Sequence, residues 1–348
     1  MNLQEYVVEK KPILKDFIVE FLKNQNASLF EQEDILNRFS EFVTNGKMLR
    51  GLIICLISQM YGKDVSKESL SLAAAIEINH SSLLIHDDIL DNDRLRRGKK
   101  TIFAQYEDEG RNVNINNPYF YGISSAIIVG DIGIFLAVKL FQNVSEEYLK
   151  DVLDLFYCEM VSVGLAEQYE FGVGMKDIEI SDDAILDIYR YKTARYTFSL
   201  PMKLGALIAG ASEEQIKLLD KIGEELGIIF QIIDDEIGLL GTEEEIGKPV
   251  GSDIRENKKT LVRKMLFEEV GEEERQKLME AFGNHNLTQD QIKNVQEITK
   301  NFGIDKKIFE IVSSRADSLK PQIDQLEISY EHKNLLKEFV DYNLHRTA

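Results

Sequence analysis

The chain has 348 residues, 44% hydrophobic and 29% charged, which is the make-up of a globular protein with ample core material rather than a disordered one. Its formal charge of −19 excludes general nucleic-acid binding, which needs a basic surface, so any phosphate site must be a local cluster of cations. Cys55 and Cys158 lie in apolar runs without a CxxC spacing; they exclude a disulfide framework or zinc site and read as two buried free thiols.

Five prolines and apolar residues recurring at three- and four-residue spacing predict an all-α chain. Charged Glu5, Glu9, Lys10 and Lys11 precede any sustained apolar run, so no secretory signal is visible and a cytoplasmic protein is expected. The pattern predicts helices over Leu3–Lys23, Glu31–Thr44, Arg50–Tyr61, Lys67–Asp91 and Phe120–Gln142. Within the last of these, Ile123–Val138 is too short to cross a bilayer and carries Asp131, so it reads as a buried helix and not a transmembrane segment. Further helices are predicted over Glu146–Phe171, Asp182–Gly210, Glu213–Leu240 and Lys259–Glu269, with shorter ones from Glu273 onward. Asn112–Pro118 and Gly241–Glu256 carry the residues of loops. No linker composition intervenes, so residues 1–348 are expected to form a single domain.

Two helices end in paired aspartates. In Asp87-Asp88-Ile89-Leu90-Asp91 the spacing places Asp87 and Asp91 on one face, about 5 to 6 Å apart at Cβ. Carboxylates that close repel one another, and at a helix carboxyl terminus the macrodipole adds to the cost, so a plain solvated helix end is a strained reading. A Mg²⁺ ion relieves both, since it takes a few carboxylate oxygens and leaves its other positions to water and phosphate. Arg94, Arg96, Arg97, Lys99 and Lys100 follow at once; alone they fit a solvated loop equally well, but guanidinium forks suit a diphosphate bridged to those aspartates. The second helix presents Gln231, Asp234 and Asp235, followed by Lys248, Arg255, Lys258 and Lys259. Two such helices facing one another across a cavity would hold metal ions from both sides of one diphosphate. His80 shares a helix face with Asp87, though a lone helical histidine is equally a core residue. Lys47 and Arg50 fall at a predicted helix start, a place suited to phosphate.

Taken in order, these residues resemble the trans-isoprenyl diphosphate synthases (polyprenyl synthetases) from about Lys47 to Lys259. The DDxxD and RRG of that family stand here as Asp87-Asp88-Ile89-Leu90-Asp91 and Arg96-Arg97-Gly98. Its GGKxxRP is similar to Asn45-Gly46-Lys47-Met48-Leu49-Arg50-Gly51, and its FQxxDDxxD to Phe230–Gly238, where Gly238 replaces the last aspartate as in archaeal-type geranylgeranyl diphosphate synthases. The resemblance implies a helical bundle around a deep central cavity, commonly a homodimer, with Mg²⁺ as cofactor and no part for nucleic acid. It implies that Lys47, Arg50, His80 and Arg97 bind isopentenyl diphosphate, and that Arg96, Lys192, Thr193, Gln231, Lys248 and Lys258 bind the allylic diphosphate. Metal would rest on Asp87, Asp88, Asp91 and Asp234, with Asp235 in support; Asp87, Asp91, Arg96, Lys192, Asp234 and Lys258 would carry the catalysis. The segment Gly164–Glu170 offers Glu167, Gln168 and Glu170 in no clear register with the family's GQxxD.

The reaction implied is metal-assisted ionisation of an allylic diphosphate (dimethylallyl, geranyl or farnesyl) and attack on the cation by isopentenyl diphosphate. The product would be geranylgeranyl diphosphate, because Ser82, Leu83 and Asn79 before the first aspartates include no aromatic plug; Tyr119, Phe120 or Tyr121 would otherwise set a shorter floor. A farnesyl or longer-chain synthase is one alternative and a regulatory partner subunit another. A helical di-iron protein would need a second ExxH beside Glu77–His80, which the chain lacks.

Overall fold

The computed structural model describes residues 2–25, 33–176, 178–242 and 250–346, and these residues are almost entirely helical. They fall into two compact units, the first residues 1–154 with 201–212, the second residues 155–200 with 213–348.

In the first unit α1 is Leu3–Lys23, α2 Glu33–Thr44, α3 Leu49–Met60, α4 Lys67–Leu90, α5 Ile102–Asn112 and α6 Pro118–Leu140. Helices α3 and α4 are apolar nearly all round and form the core; Ile54, Ile57, Leu72 and Ile76 are wholly buried. Asn2 and Ser66 cap α1 and α4 with reciprocal side-chain bonds. α9 (Leu200–Ile208) closes on α3 through Gly205, where a Cβ would stand 2.6 Å from the Ile54 carbonyl oxygen. α5 is an element the periodicity leaves unassigned: Ile102, Phe103, Ala104 and Tyr106 bury one short face.

α6 corrects the expectation of a buried helix. It runs 23 residues, and with the following turn it is the one described helix long and apolar enough to cross a membrane by length and composition, yet only 33% of its most apolar window is buried. Phe120, Ile128 and Phe135 stand more than half exposed on it.

In the second unit α7 (Glu146–Lys176, beginning in the first), α8 (Asp182–Ile188) and α10 (Glu213–Leu240) surround a π-helical segment, Tyr189–Ser199. The expected single helix Asp182–Gly210 therefore changes its winding within this stretch, against which α10 packs closely. A Cβ on Gly227 would lie 2.3 Å from the Ala194 Cα, and one on Gly223 2.6 Å from the Ser199 Cα. Phe198, Phe230 and Phe339 stack beneath, with ring centroids 5.3 and 5.9 Å apart. Cys158 on α7 is exposed, against the expectation of two buried thiols; Cys55 is buried. Of the expected loop Gly241–Glu256, residues 243–249 lie outside the described residues, and Ser252–Arg255 is a short turn of helix.

Candidate active site

In the first unit the aspartates lie where α4 runs out. Asp91 is the cap residue, and the chain turns through Asn92 at φ 52° into a two-stranded hairpin pairing Arg96 with Lys99. Its two-residue loop, Arg97-Gly98, has φ 51° and 73°, the double left-handed turn that twists with the strands and accepts glycine at the second place. The turn sends two neighbouring arginines different ways.

Arg96 folds back over α4: its Nε donates to Asp88 Oδ1 at 2.5 Å and its Nη2 to Asp87 Oδ2 at 3.2 Å. The guanidinium takes up the repulsion between the carboxylates. Asp88 is 1% exposed, its Oδ2 has no hydrogen-bond partner, and burial pushes its pKa to about 7 against the pull of Arg96. Arg97 instead lies along Gly46, where a Cβ would be 2.7 Å from its Nη1. His80, half-buried, is held well below the ordinary histidine pKa by burial and by the charges of Arg50, Arg97 and Arg96. It is therefore a neutral hydrogen-bonding group at physiological pH. Arg50 is half-buried and Lys47 exposed. Beside the hairpin lies a cleft of about 270 Å³ lined by Arg38, Asn45, Arg96, Arg97, Lys99 and Lys100 among others. His86 is taken up by α6, 3.3 Å from the Ile127 carbonyl oxygen and 3.6 Å from Asp131.

The start of α3 is less open to phosphate than the sequence suggests. The Gly51 amide, third in the helix, donates to Glu77 Oε1 at 2.7 Å, so a protein carboxylate already occupies part of that end.

In the second unit the π-helical segment turns Lys192 toward α7, where its Nζ meets Glu167 at 2.9 Å and is also bonded to Glu170. Those two acids are the residues whose role the sequence left open; the signal was their spacing of three on one helix face. Thr193 is half-buried beside Lys192. The paired aspartates of α10 differ sharply. Asp235 is 7% exposed and accepts bonds from the Tyr189 hydroxyl and, at 2.7 Å, from the Gln231 amide. Burial and the nearby Asp253 carboxylate hold its pKa well above the usual range. Asp234 faces outward, 54% exposed, and pairs with Arg346 at 2.9 Å. At Gly238 a Cβ would stand 2.6 Å from Asp253 Oδ2, so the neighbouring carboxylate fills the space at that missing aspartate. Lys258 lies 3.1 Å from Glu256 and 3.7 Å from Asp253. Lys248 falls outside the described residues.

Among the described residues no three His, Cys, Asp or Glu side chains form a ready metal cage. Mg²⁺ bound through one or two carboxylates, water and substrate phosphate does not need one. Asp87 and Asp91, with the orphaned buried oxygen of Asp88 behind them, could offer hard oxygens to such an ion.

The sequence profile of the family described as Polyprenyl synthetase matches residues 33–299. A geranylgeranyl diphosphate synthase of Sulfolobus acidocaldarius is 33% identical over 301 residues, covering 84% of this chain and 83% of that protein. A short chain isoprenyl diphosphate synthase of Methanocaldococcus jannaschii is 32% identical over 291 residues, 81% of this chain and 82% of that protein. Among solved structures, a geranylgeranyl pyrophosphate synthase from Corynebacterium glutamicum, complexed with isoprenyl diphosphate and magnesium, superposes with a TM-score of 0.91 at 26% identity, over 99% of this chain and 100% of that one.

Proposed function

The chain belongs to the polyprenyl synthetase family, and we propose from that membership and from the two sites that it makes geranylgeranyl diphosphate. It is a prenyltransferase that joins isopentenyl diphosphate to allylic diphosphates and releases a short all-trans isoprenyl diphosphate.

The observation that supports the site assignment is the hairpin that sends Arg96 to Asp87 and Asp88 but Arg97 to Gly46, so that the adjacent arginines are free to serve different substrates. In this reading Lys47, Arg50 and Arg97 hold isopentenyl diphosphate by charge, and neutral His80 adds a hydrogen bond. Arg96, Lys192, Thr193, Gln231, Lys248 and Lys258 hold the allylic diphosphate. Asp87, Asp91 and Asp234 are the residues to hold Mg²⁺, which when bound neutralises the leaving diphosphate. Asp88 and Asp235 support from behind, each buried and engaged by a neighbour. Arg96, Lys192 and Lys258 stabilise the charge that grows on the leaving group as the carbon–oxygen bond breaks. The double bond of isopentenyl diphosphate then attacks the allylic cation, and a proton passes to the departed diphosphate. No side chain acts as nucleophile. Because the family profile runs from 33 to 299 without interruption, we assign residues 1–348 to one synthase domain.

Two further assignments belong to this reading. The exposed Phe120, Ile128 and Phe135 of α6 form a strip wide enough to need a cover, and a second copy of the chain supplies an identical one. A homodimer through α6 accounts for an apolar helix left two-thirds unburied. Free thiols, one of them exposed, fit a reducing cytoplasm.

The deciding experiment supplies isopentenyl diphosphate with dimethylallyl, geranyl or farnesyl diphosphate, with and without Mg²⁺, and separates the dephosphorylated products. Geranylgeraniol formed only with the metal is expected. Product that stops at farnesol would overturn the chain length, and metal-independent turnover would overturn the carboxylate assignment.

A further inference from the structure

Glu77 sits ten residues before Asp87 on α4, 3% exposed, and no step above uses it. A buried carboxylate is costly unless charges and hydrogen bonds surround it, so its neighbours tell what it is for. The first is the beginning of α3. The residue before that helix, Met48, has φ 56° and offers no side-chain cap, which leaves the first amides without their usual local acceptor. Glu77 serves in its place from α4, taking the Gly51 amide at 2.7 Å. A glycine is required for the approach: a Cβ at position 51 would stand 3.1 Å from Glu77 Cγ and 2.6 Å from Leu14 Cδ2.

The second set of neighbours is cationic. Burial holds the Glu77 pKa above the usual carboxylate range, opposed by Arg50, the amides of Gly51 and Arg50, and Arg97, which favour its charged form. Arg50 lies on α3 one residue before the capped Gly51, and Arg97 reaches in from the hairpin turn along Gly46. One carboxylate, fixed by its bond from Gly51 next to Arg50, thus feels the charge of two guanidiniums that come from elements 47 residues apart in sequence. The two guanidiniums repel one another, and a buried carboxylate that attracts both offsets that repulsion.

We propose that Glu77 is a positioning residue of the isopentenyl diphosphate site, anchoring the start of α3 and acting as the shared counter-charge that holds Arg50 and Arg97 aimed at one diphosphate. The inference rests on the assignment of Arg50 and Arg97 to that substrate. Glu77 itself touches no substrate.

Glu77→Gln separates the cap from the charge, because the amide oxygen still accepts from Gly51 while the negative charge is gone. The expected result is a melting temperature close to the parent and a KM for isopentenyl diphosphate raised about tenfold. The kcat and the KM for the allylic substrate should move less than about threefold, and Glu77→Asp should recover part of the loss. An unchanged or lower isopentenyl KM in folded Glu77→Gln overturns the proposal, as does an equal change in all three constants. If Glu77→Gln does not fold, Arg97→Ala in the same chain removes one of the repelling cations and should restore folding; failure of that double variant also refutes the counter-charge. Arg50→Ala guards the premise. A raised isopentenyl KM there with none in Glu77→Gln overturns the role of Glu77 alone, whereas no change in Arg50→Ala overturns the site assignment and this inference with it.

Discussion

Gly227→Ala tests whether the close packing of α10 on the π-helical segment positions Lys192 for the leaving-group role proposed for it. The added Cβ would lie 2.3 Å from the Ala194 Cα and 2.6 Å from its Cβ, both on a backbone that cannot rotate away. Restoring ordinary contact at 3.4 Å or more requires the segment to retreat by about 1 Å. Overpacking of this kind costs about 1 to 3 kcal/mol, of which the better helix propensity of alanine returns about 1. The net loss of at most about 2 kcal/mol should lower the melting temperature by no more than about 3 °C, and the protein should remain folded. Activity should suffer far more, because Lys192 sits two residues from the displaced Ala194. Displacing a group that stabilises the leaving anion by about 1 Å lowers kcat about 100-fold. Steady-state kinetics beside calorimetry decides it, with Gly164→Ala as the control. At Gly164 an added Cβ meets nothing within 4 Å, so that variant gains about 1 kcal/mol and keeps its kcat. A Gly227→Ala enzyme with parental turnover would show that the packing of α10 does not position Lys192.

Asp87→Ala and Asp91→Ala should each reduce kcat at least about 100-fold while melting within a few degrees of the parent; near-parental turnover in both would refute the metal assignment. Lys47→Ala should raise the KM for isopentenyl diphosphate, and Lys192→Ala should lower kcat instead; equal effects on both substrates would refute the division of the two sites. Glu179 is held below the usual carboxylate range chiefly by its hydrogen bonds to Arg263, at 2.8 and 3.0 Å, and by Lys259. Its stabilising share is therefore present above the unfolded pKa and lost as pH falls through the lower folded one. Being 66% exposed it contributes only about 0.5 kcal/mol, and Glu179→Gln should melt slightly lower at pH 7 with the gap closing as pH falls below the ordinary carboxylate range; a gap constant with pH would refute this. Leu83→Phe should shorten the product to fifteen carbons, as chromatography would reveal, whereas Ser82→Phe should fail to fold. Ser82 is wholly buried, and its hydroxyl lies 2.1 Å from where a Cβ on Gly133 of α6 would be, so that wall has no room for a ring.

Periodicity made the helices legible because most of them are long and sided: Leu3–Lys23 and Glu213–Leu240 end where the pattern ends. The hairpin was hidden, since strands of two residues have no period, although Arg97-Gly98 between paired cations is its turn signal. α5 escaped because its apolar face is four residues followed by a charged run. The π-helical stretch was invisible for a different reason: it still reads as helix in its own residues, and its close contacts at Gly223 and Gly227 come from distant positions. The same holds for the site. The aspartates, arginines and lysines announce themselves by spacing, but that Glu167 and Glu170 flank Lys192, or that Glu77 caps α3, depends on folding that joins positions 22 to 26 residues apart.

The contrast between the two cysteines makes the chain easy to label at one place. Burial raises the Cys55 thiol to about pH 12 for deprotonation, so at neutral pH it offers almost no thiolate to an alkylating dye. Cys158 is exposed on α7 between Tyr157 and Val161, both of them exposed as well. A single fluorophore can thus be placed without altering the sequence, on the same helix that carries Glu167 and Glu170. Its anisotropy would change as that face is covered or uncovered.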